Sequence, residues 1–161
     1  MNDWLFIRAL ISFLALPGIV AFLAPALLLG SIGTRTPRGE GVIVFLVGVL
    51  VLLWCVRDFY VAGKGTLAPW DPPRRLVSVG LYRFSRNPMY VGVLLILIGW
   101  TLAVRSRSLL IYAVVVAILF HVRVVMNEEP WLARTFPNEW PRFKSQVPRW
   151  LSIAPRSGRP G

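Results

Sequence analysis

Four apolar segments dominate the pattern of hydrophobic and polar positions along the chain. They run from Trp4 to Leu29, from Val42 to Val56, from Met89 to Val104 and from Leu109 to Val125. Apart from one arginine near the start of the first, these segments lack charge over lengths that cross all or most of a hydrocarbon layer. The pattern predicts an all-α integral membrane protein with about four transmembrane helices.

Two features of these segments predict departures from straight, full-length spans. The first segment contains Pro17-Gly18 and Pro25, which a membrane helix tolerates as a kink or a split. The third and fourth are short, because a sixteen-residue helix extends about 24 Å against a hydrocarbon core of roughly 30 Å. Only Arg105–Ser108 separates them, so we expect a tight antiparallel hairpin. Snorkelling, local thinning, or continuation of the fourth helix into the cytoplasm would absorb the mismatch.

The polar stretches divide the chain into parts of one membrane domain, residues 1–161. Residues 4–62 hold the two N-terminal membrane helices, and residues 63–153 hold a connector rich in glycine and proline, the hairpin and a C-terminal tail. The tail alternates aromatic and basic residues, which predicts an amphipathic helical segment at the membrane interface or folded over the helix ends. Residues 154–161 have the composition of a disordered end.

Charge and composition give the chain an orientation. It is 56% hydrophobic with a mean hydropathy of +0.63 and a formal net charge of +11. Four spans would put fourteen of the 18 basic residues with the termini and the second loop, and four on the other side. The positive-inside rule then predicts that both termini and the long connector are cytoplasmic. Because the basic residues flank apolar segments, we predict contact with membrane lipids and not with nucleic acid. The single cysteine, Cys55, lies inside an apolar run and predicts a packing residue.

Three polar motifs lie on the predicted cytoplasmic side and carry the candidate chemistry. They are GTLAPW from Gly65 to Trp70, GLYRFSRNPMYVG from Gly80 to Gly92, and the tail beginning NEEPWL at Asn127. In this order, around a helical hairpin, they resemble the isoprenylcysteine carboxyl methyltransferase family and its bacterial relatives, which merge into the phospholipid methyltransferases. That family has Arg-His-Pro-x-Tyr-x-Gly followed by Glu-Glu-x-x-Leu. The resemblance covers roughly residues 60–151.

The resemblance implies methyl transfer from S-adenosylmethionine to a hydrophobic or lipid-like acceptor, without a Rossmann domain. In agreement, the chain has no GxGxxG loop after a strand. Residues 63–153 are then the methyltransferase-like portion of an enzyme in the bacterial inner membrane, with a cytoplasmic cofactor site. The implied catalytic residues are Arg86 and Glu128. The implied cofactor-binding residues are Tyr82, Asn87, Tyr90, His121, Glu128 and Glu129. No metal is expected.

The sequence departs from the family pattern in the same two regions. Asn87 stands where the family has histidine, Phe136–Trp140 reads FPNEW in place of Phe-Gly-x-Glu-Tyr, and Phe143 replaces a common tyrosine. An asparagine side chain still donates and accepts hydrogen bonds, so cofactor binding does not require the histidine. A role that needs an imidazole at position 87 is lost.

Each site residue of the arginine motif also has a structural explanation. Arg86 can serve as a snorkelling topology determinant instead of a carboxylate-binding fork. Asn87 and Pro88 suit the N-cap and first position of a helix. Tyr90 fits an interfacial belt. Gly92 and the glycine seven residues later favour close helix packing over ligand contact.

The second motif has structural explanations too. Glu128 and Glu129 suit the first turn of a helix that begins at Pro130. Against this, two adjacent carboxylates among seven acidic residues suggest a cationic or hydroxyl-rich ligand. His121 precedes Glu128 by seven residues, so the two share a face if the helix is continuous. A lone membrane histidine is more often a packing group than a ligand contact, although ionisable groups in membranes are candidates for function.

The acceptor and the reaction class stay open at the level of sequence. A carboxylate acceptor, such as that of an isoprenylcysteine-like molecule, is already ionised and needs no base. A phospholipid amine or a small thiol would need one, with His121 or a glutamate as the candidate. Two further alternatives are a non-catalytic membrane component that retains the fold and a nicotinamide-dependent reductase of related architecture. The expected partners are a lipidic acceptor and membrane lipids, and the sequence does not indicate an oligomeric state.

Overall fold

The computed structural model describes residues 14–30, 36–58, 61 and 76–151, and within them the chain is all helical without a strand. The elements in chain order are a π-helix Leu14–Leu23, α1 Ala24–Gly30, α2 Gly39–Asp58, a 3-10 turn Gly80–Arg83, α3 Pro88–Val104, α4 Arg107–Arg123, a π turn Val124–Glu128, α5 Glu129–Thr135 and α6 Trp140–Gln146. The predicted motif at 65–70 and the predicted disordered end at 154–161 lie outside the described residues.

The first apolar segment is irregular, as its prolines predict. Pro17 lies inside the π-helix, and regular α-helix begins only at Ala24. A proline has no N–H to donate and its ring crowds the preceding turn, so a regular α-helix around it is disfavoured. Residues 4–13 of the predicted segment lie outside the described part.

Helices α2 and α3 pack backbone against backbone along a seam of glycines. A Cβ atom on Gly99 would lie 2.5 Å from the backbone nitrogen of Phe45, and one on Gly48 would lie 2.6 Å from the backbone nitrogen of Ile96. Gly92 faces Leu52 in the same way, with 3.1 Å between the added Cβ and the backbone nitrogen. Small residues let two membrane helices approach this closely. The prediction that the α3 glycines are packing residues is confirmed.

Helices α3 and α4 follow each other with only Arg105 and Ser106 between them. Arg105 adopts a left-handed conformation with φ 49°, and the Ser106 side chain accepts a hydrogen bond from the Leu109 backbone N–H at 3.4 Å. The chain therefore reverses in two residues, fewer than the predicted four. At the other end Tyr90 of α3 lies against Phe120 of α4, with ring centroids 4.3 Å apart. The two helices are antiparallel, and the start of α3 lies beside the end of α4.

The fourth segment is longer than its apolar run. Helix α4, the π turn and α5 form one unbroken stretch, Arg107–Thr135, of 29 residues. Pro130 lies in this stretch, where in a regular α-helix its ring would clash with the carbonyl four residues earlier. The wider π turn immediately before it accommodates the proline, and the Glu129 N–H reaches back to the Val124 carbonyl. The predicted boundary at Val125 is thus a change of turn and not a helix end.

Two of the helical stretches are long and apolar enough to cross a membrane, Gly39–Asp58 and Arg107–Thr135. Two shorter ones, Pro17–Gly30 and Pro88–Val104, are also apolar. Large aliphatic side chains face outward on both long stretches; Leu50, for example, is 65% exposed and Ile111 is 64% exposed. Outward apolar faces of this kind require an apolar solvent or a covering partner.

Two of the buried apolar clusters in the described part of the chain position the site. The main cluster joins the first segment to α2, α3 and α4 through Ala21, Leu52, Val93, Ile96, Leu97, Ala113 and Val116. A second cluster fixes the C-terminal tail, where Trp140, Phe143 and Val147 are buried against Leu76 and Leu132. The amphipathic tail helix predicted from the sequence is α6, and its apolar side faces the rest of the protein.

Candidate functional site

The two sequence motifs meet at one end of the helices. Arg86 to Tyr90 lie just before α3 and in its first turn. The antiparallel α4 returns the chain so that the π turn and α5 bring Glu128 and Glu129 beside them. The residues following α6, Pro148–Trp150, lie against the same place. We call residues 85–90, 123–129 and 148–150 the polar end.

Glu129 is the centre of a buried ion cluster. Its Oε1 accepts hydrogen bonds from Arg86 Nη1 at 2.8 Å and from Arg149 Nε at 2.7 Å, and its Oε2 accepts one from Arg149 Nη2 at 3.0 Å. The side chains of Arg86 and Glu129 are only 10% and 11% exposed. Arg149 thus holds the carboxylate in the two-pronged geometry that suits a guanidinium. Both oxygens of Glu129 are committed to arginines.

The surroundings shift the pKa values of Arg86 and Arg149 in opposite directions. Burial lowers the pKa of the Arg86 guanidinium from its ordinary value; the Glu129 carboxylate opposes this shift and the neighbouring Arg149 adds to it. The hydrogen bond to Glu129 raises the pKa of Arg149. A guanidinium remains charged in proteins. The Glu129 carboxylate therefore offsets part of the cost of burying the Arg86 cation. The Arg86 side chain also lies over the Trp140 ring, 5.5 Å from its centroid.

Glu128 has a different set of neighbours. Its Oε1 accepts hydrogen bonds from the Tyr90 hydroxyl and from Arg123 Nε, the latter at 2.9 Å. Arg123 Nε also donates to the Tyr90 oxygen at 3.1 Å. The Glu128 side chain is 30% exposed, and no side chain in the described ranges hydrogen-bonds its Oε2. One oxygen is fixed by the protein and the other is available.

The two glutamates lie where the π turn passes into α5. Both have helical backbone angles, with φ −76° and ψ −47° at Glu128 and φ −62° and ψ −42° at Glu129. Glu129 is in the first turn of α5 beside Pro130, as the structural explanation predicts, but the helix continues into α5 from α4 and Glu128 makes no capping hydrogen bond. Adjacent residues on a helix point in directions about 100° apart. This divergence sends Glu129 to Arg86 and Glu128 to Tyr90.

Asn87 precedes Pro88 at the start of α3, as predicted, but its side chain makes no capping bond. Instead Asn87 Nδ2 donates to the carbonyl of Arg149 at 3.0 Å, and Ser85 Oγ donates to the same carbonyl at 3.4 Å. The Arg86 backbone N–H donates to the Pro148 carbonyl at 2.9 Å. The predicted cofactor-binding asparagine therefore contacts the C-terminal segment of its own chain.

Tyr82 and His121 lie at the edges of this arrangement. Tyr82 is buried in a small cluster with Cys55 and Val77, and burial raises the pKa of its hydroxyl well above the ordinary value. Cys55 is fully buried there, as expected of a packing residue. His121 is exposed and stacks on Trp150, with 5.9 Å between the ring centroids. The π turn between His121 and the glutamates changes the helical phase on which their predicted shared face depends.

Sequence reasoning missed three members of the polar end, Ser85, Arg123 and Arg149, and one neighbour of it, Trp140. Arg123 stands five residues before Glu128, which is the spacing that a π turn brings onto one face. The other contacts join residues far apart in the chain, and among 18 basic residues no local pattern distinguishes Arg149.

Replacing Tyr90 with phenylalanine tests the polar end directly. The change removes a hydroxyl that bonds two charged groups, Glu128 and Arg123, and we expect the free energy of unfolding to fall by about 1.5 kcal/mol. Tyr112→Phe is the comparison, because its hydroxyl makes a neutral hydrogen bond to the Val20 carbonyl at 3.0 Å. Denaturant unfolding in detergent should show the larger loss for Tyr90→Phe, and equal losses would contradict the charge-assisted arrangement.

The fold and site together define a class: an all-helical membrane protein whose apolar helices support a cluster of arginines and glutamates at one end. The chain belongs to the phospholipid methyltransferase family, whose model matches residues 38–139 and so confirms the family resemblance of the sequence. An uncharacterized protein of Haemophilus influenzae is 32% identical over 63 residues, which are 39% of this chain and the whole of that protein. No solved structure matches the chain.

The matched region includes some of the polar end but not all of it. Arg86, Asn87, Tyr90, Glu128 and Glu129 fall within residues 38–139. The segment that carries Arg149 follows the matched region.

Proposed function

We propose that the protein transfers a methyl group from S-adenosylmethionine to a hydrophobic or lipid-like acceptor at the polar end. The family supports methyl transfer in a membrane. The observation that carries the assignment of the site is the partly exposed Glu128 carboxylate, which has one oxygen fixed by Tyr90 and Arg123 and one without a described hydrogen-bond partner.

The donor set fits this cofactor. S-adenosylmethionine presents an ammonium group, a sulfonium and ribose hydroxyls, and the available oxygen of Glu128 can accept from any of these donors or attract the cations. Arg123 and Tyr90 hold the carboxylate in one orientation, so the entropic cost of ordering this side chain on binding is lower. Glu129 has both oxygens committed to arginines, so its role in the proposal is to hold Arg86.

When bound, the cofactor supplies a methyl group on a positively charged sulfur. The protein contributes proximity, alignment and exclusion of water. Arg86, with a guanidinium already buried beside Glu129, is suited to bind an anionic group of cofactor or acceptor. An already ionised carboxylate acceptor would leave no proton for the protein to remove.

The membrane arrangement belongs to the same proposal. Four crossing segments, the two long stretches with the shorter Pro17–Gly30 and Pro88–Val104, would put the polar end on the side with fourteen of the basic residues. That side is cytoplasmic by the positive-inside rule, where S-adenosylmethionine is available. The acceptor would reach the site laterally, along the exposed apolar face of α4.

Phospholipid amines are the second candidate acceptors. The family description names phospholipids, and Glu128 is partly exposed, so it could accept a proton from an ammonium headgroup. The carboxylate acceptor is preferred because it is already ionised and needs no base, while Oε1 of Glu128 is already occupied by hydrogen bonds from Tyr90 and Arg123.

Binding of S-adenosylmethionine to the purified protein is the primary test. We expect saturable binding by titration calorimetry, weakened at least fivefold by Glu128→Gln and by Arg86→Ala. Glu139→Gln is the matched control, because this exposed glutamate makes no side-chain capping bond. Absence of binding in several detergents and in nanodiscs would overturn the proposal.

The acceptor and the remaining alternatives need a second experiment. Membranes containing the protein would be incubated with isotopically labelled S-adenosylmethionine and a lipid extract, and the products analysed by mass spectrometry. Labelled methyl esters indicate a carboxylate acceptor, whereas labelled headgroups indicate a phospholipid amine. Binding without any labelled product would favour a non-catalytic component, and a spectroscopic titration with reduced nicotinamide cofactor tests the reductase alternative.

A further inference from the structure

We infer that Arg149 is a positioning residue for the reaction and that the segment after α6 completes the site. The inference rests on the proposed function and extends it to residues beyond the family match, which ends at residue 139. Arg149 acts through Glu129 and the start of α3.

The side chain of Arg149 determines the orientation of Glu129. It donates two hydrogen bonds to that carboxylate, at 2.7 and 3.0 Å, while Arg86 donates one, at 2.8 Å, to the oxygen that Arg149 also contacts. Without Arg149, one oxygen of Glu129 loses its described partner and the carboxylate is free to rotate about its bond to Arg86. The guanidinium of Arg86 would then lose the fixed partner that orients it.

The backbone around Arg149 fixes the other side of Arg86. The carbonyl of Arg149 accepts from Asn87 Nδ2 and Ser85 Oγ, and the carbonyl of Pro148 accepts from the Arg86 backbone N–H. The residues on both sides of Arg86 are thus tied to the segment whose side chain holds Glu129. Asn87 contributes to this arrangement because its side-chain amide binds the Arg149 carbonyl of the segment after α6.

Apolar packing that does not involve Arg149 keeps this segment in place. Trp140, Phe143 and Val147 are buried against Leu76, Leu132 and Phe136. A substitution of the Arg149 side chain therefore leaves both the anchor and the backbone carbonyls that bind residues 85–87. Loss of positioning can be measured without loss of the fold.

The experiment compares Arg149→Gln with Arg149→Lys and with Arg142→Gln. Arg142 lies on α6 and is exposed, so its variant removes the same charge from the helix just before the segment. In full-length purified protein we expect Arg149→Gln to raise the dissociation constant for S-adenosylmethionine about tenfold. Arg149→Lys should recover part of the affinity because it keeps the charge but not the two-pronged contact. Arg142→Gln should stay within twofold of the wild type.

Thermal unfolding of each variant in the same detergent separates positioning from folding. We expect Arg149→Gln and Arg142→Gln to unfold within a few degrees of each other. Equal affinities of Arg149→Gln and Arg142→Gln for S-adenosylmethionine would overturn the inference. So would a loss of affinity in Arg149→Gln that accompanies unfolding and that Arg149→Lys does not restore. If the wild type does not bind S-adenosylmethionine, the proposed function itself fails, which is a different outcome from equal binding by all variants.

Discussion

Replacing Glu129 with alanine should destabilise the protein by about 3 kcal/mol, because the change leaves a buried guanidinium without its counter-charge. Arg86 is 10% exposed and its Nη1 donates to Glu129, while Arg149 donates to both oxygens of the same carboxylate. Without that carboxylate the two cations repel each other. The loss should appear as a lower midpoint in denaturant unfolding.

The controls for this result are Glu139→Ala and Glu128→Ala. Glu139 is exposed, so its removal should change the free energy of unfolding by no more than about 0.5 kcal/mol. Glu128 is 30% exposed and its partner Arg123 is 42% exposed, so water replaces much of that interaction and the loss should be smaller than for Glu129. A Glu129→Ala protein as stable as the Glu139 control would show that the ion cluster does not support the fold.

The second large effect is expected from Gly99→Ala. The added Cβ would lie 2.5 Å from the nitrogen and 2.6 Å from the Cα of Phe45, and backbone atoms cannot rotate away as side-chain atoms do. Helices α2 and α3 would have to separate, which we expect to cost about 3 kcal/mol and to lower the yield of folded protein in membranes. Unfolding in detergent measures the stability, and size-exclusion chromatography measures the folded fraction.

Gly39→Ala is the matched control for Gly99→Ala. A Cβ at Gly39 meets no other atom within 4 Å, although this glycine also belongs to α2. The same chemical change should therefore leave stability within about 0.5 kcal/mol of the wild type. Similar losses for the two variants would mean that the alanine substitution acts through helix conformation and not through the α2–α3 contact.

The apolar helices were predictable because their signal is local. Runs of aliphatic residues give the core of each helix, and the glycines of α3 indicate close packing before any partner is known. The antiparallel contact of α3 with α4 follows from a short connection, since two neighbouring helices joined by a few residues have little choice of direction. The helix ends were less predictable, because Arg107 and the residues after Val125 continue a helix in spite of their polarity.

The location of the polar end was predictable from the sequence, but the hydrogen-bond partners within it were not. The sequence indicated Arg86 and the two glutamates, yet the partner of each glutamate depends on the π turn at Val124–Glu128. Whether such a turn forms depends on the nearby proline, on the helical hydrogen bonds and on tertiary contacts together. The spacing of apolar residues in the sequence does not show it. Arg149 was missed because its contact with Glu129 depends on how α6 folds back.

The π turn makes the site sensitive to chain length in a way that its composition does not reveal. It occupies only Val124–Glu128, and its middle residue Met126 is 69% exposed. Inserting one residue after Met126 would remove no side chain of the polar end, yet it would rotate everything after it by about 100° relative to α4. Glu128 would then point where Glu129 points now, and Glu129 would point where Pro130 points now. Point substitutions in this turn are therefore far milder than insertions, and the number of residues between the two helices itself determines where the two glutamates point.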